Sequence, residues 1–172
     1  MFYGHLKGHV EALLFAAGDP LAAKDIARVL EIEECHAAAL LAELREEMQA
    51  ENRGLTVVEV AGGYQLCTKP ELAEVIAKLE PPQETRLSAA ALETLAIIAF
   101  RQPVTRQEIE DIRGVKADSA LNTLLERGLI RELGRKEGIG RPILYGTTPE
   151  FLQCLGINSL SDLPPLPDPQ QE

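Results

Sequence analysis

Tryptophan is absent from this chain, and its seven phenylalanines and tyrosines make up only 4% of it. A core with so few rings must be filled by Leu, Ile, Val and Ala, which favours closely packed helices. Cysteine is nearly as scarce. Cys35, Cys67 and Cys154 lie far apart, form no CxxC pair and are odd in number, which argues for reduced thiols and against a disulfide framework. Positive charge is also short: 17 Lys and Arg stand against 27 Asp and Glu, a net −10. A protein that lives on phosphate normally carries a basic face, so this one is repelled on average by DNA and by anionic membranes. Long apolar runs are missing too. Ala12–Ala17 is too short for a signal-peptide core, and nothing approaches the 18 or so apolar residues of a membrane span. The expectation is a cytoplasmic chain with no membrane contact.

The sequence also lacks the patterns that announce catalysis. It has no GxxxxGK[ST] phosphate loop, no GxSxG elbow and no HExxH metal pair. Its glycine-rich stretch, Gly138-Ile139-Gly140-Arg141-Pro142, falls between strand-like runs instead of before a helix. His5 and His9 stand four apart near the start of a helix but bring no third ligand, so they read as exposed polar residues. Cys35 follows Glu33 and Glu34, the wrong surroundings for a nucleophilic thiolate. Cys67 and Cys154 read as packing residues. The chain is therefore expected to be no enzyme, with no catalytic residue, metal or cofactor. A hidden active site would need a pocketed cluster of perturbed groups.

What is present is a plan used twice. LEPPQETRLS at 79–88 carries two adjacent prolines that stop a helix, and LPPLPDPQQE at 163–172 can bury almost nothing. Before the first break come an apolar helix over Val10 to Ala17, a short helix with Ile26, Val29 and Leu30 on one face, and a longer one from Glu33 to Asn52. Two strand-like runs, Leu55–Val60 and Tyr64–Thr68, then flank Gly62-Gly63, and Pro70 opens a last helix. After the break, Ser88 caps a helix through Leu92, Leu95, Ile98 and Ala99, which Gln102-Pro103 ends. Thr105 and Glu108 have capping-box spacing ahead of a helix presenting Ile109 and Ile112 inward. A third helix spans Ala117 to Arg127. Leu129–Leu133 and Ile143–Tyr145 form a second hairpin, and Pro149 starts PEFLQCLG. At an offset of 83, Leu14, Pro20, Leu21, Ile26 and Val29 fall on Ile97, Pro103, Val104, Ile109 and Ile112. Helix, helix, helix, hairpin is the winged helix-turn-helix plan. The expected fold is mainly α with small β-hairpins, as two tandem winged-helix domains at 1–80 and 88–163, a linker at 81–87 and a disordered tail at 164–172.

The charges say which partner such domains take. Residues 1–85 hold seven Lys and Arg against fifteen Asp and Glu, and residues 86–172 hold ten against twelve. In the first half the third helix carries Glu33, Glu34, Glu43, Glu46, Glu47 and Glu51 against Arg45 and Arg53. A helix of that composition pushes phosphate away. In the second half Ser119, Asn122 and Thr123 can touch base edges, but no mid-helix cation seats the backbone. The basic concentration is ERGLIRELGRKEGIGR, in the second hairpin. It reads either as a wing that meets an acidic partner, or DNA weakly, or as a solvated hairpin whose charges guard an edge strand. A polypeptide-binding adaptor is the preferred reading, and a winged-helix DNA-binding transcription regulator is the alternative.

The second half, through LETLAIIAFRQPVTRQEIEDIRGV, LLERGLI and GRPILYGTTPEFL, strongly resembles the segregation and condensation protein B (ScpB) family. EALLFAAGDPL and GGYQLCTKPELA extend the similarity into the first half, so that it covers about residues 8–163. The resemblance implies a non-enzymatic subunit of the bacterial SMC condensin complex acting in chromosome condensation and segregation. It implies a homodimer formed through the N-terminal domain and a grip on the kleisin ScpA mainly through the C-terminal domain. SMC is then reached through the kleisin, and DNA only indirectly or weakly. Arg113-Gly114, Gly134-Arg135 and Gly140-Arg141-Pro142 match family-like motifs. Arg106, Arg113, Arg135, Arg141 and Tyr145 are the partner-facing candidates, with Tyr145 equally a core residue. Arg141, placed before a proline, is expected to be extended. Leu13, Leu14, Phe15 and Leu41 are dimer contacts or plain core.

Overall fold

The computed structural model describes residues 3–79 and 86–165. They fall into two compact units, one of residues 3–79 with 156–165 and the other of residues 86–155. Most of the expected linker (81–85) and most of the expected tail (166–172) lie outside the described residues.

In the first unit α1 (Lys7–Ala17), α2 (Ala23–Leu30) and α3 (Glu34–Glu47) precede an antiparallel hairpin of β1 (Leu55–Val60) and β2 (Gly63–Thr68). A short helical turn and α4 (Ala73–Ile76) follow. The first three helices each contribute a stripe to one apolar core: Val10 and Leu14 from α1, Ile26 and Ala27 from α2, Ala37, Leu40, Leu41 and Leu44 from α3, closed by Val57 of the hairpin. Leu21 forms a single bridge to Tyr64 through two backbone hydrogen bonds of 2.8 and 2.9 Å. This stitches the α1–α2 connection to the hairpin. Residues 156–165 join this unit, with the Ala61 N–H donating to the Ile157 carbonyl at 3.0 Å.

The second unit repeats the order as α5 (Ala89–Arg101), β3 (Val104–Thr105), α6 (Arg106–Arg113), α7 (Asp118–Glu126), β4 (Ile130–Arg135), β5 (Ile143–Thr147) and α8 (Pro149–Leu155). Both units are winged helices. The Leu21 bridge of the first becomes a true third strand in the second, giving a sheet ordered β3-β5-β4 with Val104 opposite Tyr145. The expected caps form. The Ala91 N–H donates to Ser88 Oγ at 3.2 Å. The Thr105 N–H donates to Glu108 Oε2 at 2.8 Å, and the Glu108 N–H returns to Thr105 Oγ1 at 3.3 Å.

The duplication survives in three dimensions. Ile26 and Ile109, Ala37 and Ala120, and Leu41 and Leu124 share the offset of 83, and all six are buried. Two inward assignments do not hold: Val29 is 52% and Ile112 55% exposed. The reason is the same in both copies. The buried stripe of the second helix runs i, i+1, i+4, through Ile26, Ala27 and Leu30, and through Ile109, Glu110 and Arg113. At 100° per residue, position i+3 falls well outside that stripe. The third helix also stops at Glu47 instead of Asn52, and residues 48–52 continue as turns.

Candidate protein-binding surfaces

An apolar groove of about 550 Å³ runs across the second unit. Leu95, Leu129 and Phe151 form its nearly buried floor, at 9%, 8% and 4% exposure. Leu92 of α5 and Leu155 of α8 stand as walls, 53% and 51% exposed, with Leu87, Cys154 and Arg127 completing the lining. Its origin is simple: α5 and α8 each carry more leucine than their own core can cover. Cys154, expected as a packing residue, is exposed, because α8 is a short surface helix that buries only Phe151. Neither histidine nor carboxylate is among the described lining residues. Its lining is mostly leucine and phenylalanine, so what it offers a partner is adhesion to apolar side chains.

The partner-facing candidates separate into inner and outer sets. Tyr145 is 8% exposed, and burial pushes its hydroxyl above the ordinary range. The Arg113 side chain is 5% exposed; its Nε donates to Glu93 Oε2 at 2.9 Å and an Nη to the Lys116 carbonyl at 3.4 Å. It occupies the place that Leu30 holds in the first unit, bracing α6 against α5. Glu110, at the position of Ala27, accepts the Ala117 N–H at 3.1 Å and Lys116 Nζ at 3.2 Å. The Ala117 bond is the main reason its carboxyl sits below the usual range. Glu110 thus fixes the start of α7 relative to α6. It escaped sequence reasoning, where only its sequence neighbours Ile109 and Ile112 were weighed. Arg106 is exposed and paired with Asp118. Arg135 and Arg141 are exposed on the hairpin, where an Arg135 Nη donates to the Arg141 carbonyl at 3.1 Å.

Arg141 is not extended. Its φ is +40°, because the loop turns tightly, its N–H reaching the Gly138 carbonyl at 3.3 Å and Lys136 N–H the Pro142 carbonyl at 2.8 Å. Closing the hairpin overrides the usual preference of a residue before proline.

Glu108 links the capping box to the wing, its Oε1 accepting Lys136 Nζ at 2.6 Å. That ammonium first, then the Thr105 N–H, pulls the carboxyl from 4.5 down to about 2. A carboxyl with a depressed folded value adds stability above its unfolded pKa and loses it as pH falls. The lead of the wild-type chain over Glu108→Gln in thermal melts should therefore be full at pH 7 and vanish between pH 4.5 and 2. The pair is well exposed, so the lead at pH 7 should be about 1 kcal/mol, or roughly 4–8 °C. A lead that stays constant down to pH 2.5 would remove this linkage.

In the first unit, Leu14 and Leu41 are 1% and 0% exposed and belong to the unit's own core. Leu13 packs partly against that core. Phe15, 76% exposed on α1, presents a ring to solvent. Glu33, Cys35 and His36 bring one ligand atom each within 4.8 Å at the start of α3, with Cys35 Sγ 3.6 Å from Glu33 Oε2. Among the described residues no helix is long and apolar enough to cross a membrane.

The chain matches the family model of segregation and condensation complex subunit ScpB over residues 8–166. A segregation and condensation protein B of Symbiobacterium thermophilum is 56% identical over 166 residues, covering 96% of this chain and 76% of that protein. Another, of Geobacillus kaustophilus, is 57% identical over 164 residues, covering 94% and 76%. A crystal structure of a dimer of the ScpB N-terminal domain complexed with ScpA peptide is 43% identical, covers 46% of this chain and 100% of that one, and has a TM-score of 0.45. A match over nearly the whole length and relatives above half identity carry one conclusion: this chain belongs to the ScpB family of segregation and condensation complex subunits.

Proposed function

We propose that this chain is a non-enzymatic accessory subunit of the bacterial SMC condensin complex, working in the cytoplasm as a homodimer that binds the kleisin ScpA. Family membership supports the role in chromosome condensation and segregation. The observation that carries the binding mode is the apolar groove of the second unit, floored by Leu95, Leu129 and Phe151 and open to a partner's apolar side chains. Such a groove suits a helical or extended segment laid into it. The first unit supplies the dimer contact, with Phe15 as the exposed residue of α1 that a second copy covers. Leu13 contributes from its half-buried place beside it, whereas Leu14 and Leu41 support that surface from the core behind. Arg106, exposed and paired with Asp118, remains a candidate kleisin contact, while Arg113 and Tyr145 hold the scaffold from within.

Kleisin is favoured over an operator sequence by α7, which holds no cation at all, while the flanking Lys116 and Arg127 are offset by Asp118 and Glu126. Mass measurement in solution tests the proposal. The chain alone should have twice its 18.8 kDa, and adding a central kleisin fragment should shift it to a complex retained on a sizing column. A chain that stays monomeric and elutes apart from the fragment overturns the reading.

A further inference from the structure

The hairpin β4–β5 has a part that groove and dimer leave unused. Every residue from Arg131 to Arg141 is exposed. The stretch carries Arg131, Arg135, Lys136 and Arg141 against Glu132 and Glu137, in a protein whose overall charge is −10. Lys136 is occupied by Glu108, but no described side chain engages Arg131 or Arg141. At the tip Ile139 is 105% exposed. It stands between Gly138 and Gly140, whose φ values of +122° and +78° are ones that L side chains rarely adopt. The result is a narrow finger, one apolar side chain wide at its end, with arginines along its flanks.

We propose that this wing makes a weak, sequence-independent contact with duplex DNA, its arginines on the phosphates and Ile139 against the minor groove. This contact is separate from kleisin binding. Screening limits the reach of each charge to about 10 Å at 0.1 M salt, so the local balance of the wing sets the potential it presents. Guanidinium groups suit phosphate oxygens, and apolar tips are a recurrent wedge in the minor groove, which is about 6 Å wide. Repeating phosphates need no shaped complement. An acidic polypeptide would pair with the arginines but give the apolar Ile139 tip no groove to enter, whereas duplex DNA offers both, which favours DNA. The absence of cations along α7 removes major-groove base reading from the contact, leaving backbone affinity and the apolar tip.

Fluorescence anisotropy of the full chain with a labelled 20-base-pair duplex of mixed sequence tests the assignment. About three phosphate contacts predict a slope near −2.7 in log affinity against log salt, about a twenty-fold loss between 50 and 150 mM KCl. A second duplex of unrelated sequence should bind within about twofold. Arg131→Glu/Arg141→Glu, in which neither lost side chain has a partner among the described residues, should leave the thermal melt unchanged, reduce the slope by about 2 and weaken binding at least about tenfold at 50 mM KCl. Ile139→Ser should weaken binding about threefold and leave the slope alone, as an uncharged contact must. Absence of binding at 50 mM KCl overturns the proposal, as does a double variant that binds like the parent. Binding of poly-glutamate as tight as that of the duplex also overturns it and assigns the wing to acidic protein.

Discussion

Leu92→Asp/Leu155→Asp is expected to weaken kleisin capture by at least about tenfold while leaving the chain folded. Both side chains are about half exposed, at 53% and 51%, and stand on the walls of the groove. Their replacement removes little from the core of the free protein, so the melting temperature should stay within a few degrees. In the complex the cost is twofold. Each leucine forfeits the burial of an apolar side chain, about 1.5–3 kcal/mol when complete. Each aspartate must also lose water against an apolar surface or keep the partner at a distance. Half the burial term from each position sums to about 1.5–3 kcal/mol, roughly ten- to 150-fold in affinity before the aspartate cost is added. Isothermal titration with a central kleisin fragment measures it. The chain should stay dimeric, because the dimer contact proposed above lies in the first unit, and the loss should sit in binding alone. An affinity within about threefold of the parent would move the kleisin site off this groove.

The groove was beyond sequence reasoning for a physical reason. Its floor joins Leu95, Leu129 and Phe151, residues separated by more than twenty positions at each step, and only the tertiary packing of α5, the turn before β4, and α8 brings them together. Features that depend on a few neighbouring residues were legible. Ser88 and the Thr105/Glu108 pair cap their helices as their spacing implies, because a cap is a bond between groups three residues apart. The first hairpin was likewise local, although its turn is Ala61-Gly62 and Gly63 already pairs with Val60, and so was the doubled helix order.

The second helix of each unit shows where a pattern misleads. Eight residues give only two turns, and two turns permit both an i, i+3 and an i, i+1, i+4 stripe. Reading the first put Val29 and Ile112 inside; the fold uses the second. The same choice hid Arg113. Its position is the one that Leu30 fills in the first unit, and an arginine there suggested an outward contact. In the structure Glu93 receives it, as Lys116 and the Ala117 N–H receive Glu110. The second copy has thus exchanged an apolar Ala27/Leu30 pair for a charged Glu110/Arg113 pair. Each charge is satisfied by a partner on another element or turn, and this also orients α6 against α5 and α7.

Gly146→Ala is expected to destabilise the second unit by about 1–3 kcal/mol, the usual range for overpacking, and Gly146→Val by more. Gly146 lies in β5 opposite Arg131, with no unusual φ to explain a glycine. The reason is space. A Cβ there would stand 2.6 Å from Leu133 Cδ1 and 2.7 Å from Gln102 Oε1, distances that real contacts do not show. Leu133 is 44% exposed and sits at the bulge between Glu132 and Gly134, so it can swing toward water at modest cost. Gln102 is less free. Its Oε1 accepts the Thr147 N–H at 2.8 Å, and its Nε2 donates to Thr147 Oγ1 at 2.9 Å. These bonds tie the end of α5 to β5 beside the strand pairing of Val104 with Tyr145. Pushing the amide aside leaves part-buried polar groups unpaired, at about 1–3 kcal/mol. Urea unfolding of Leu133→Ala, Gly146→Ala and the double variant separates the two clashes. Removing Leu133 should recover only part of the loss, and the remainder should disappear when Gln102→Ala is the background. Full recovery by Leu133→Ala alone would show that the Gln102–Thr147 clamp yields freely and that the glycine serves only the leucine.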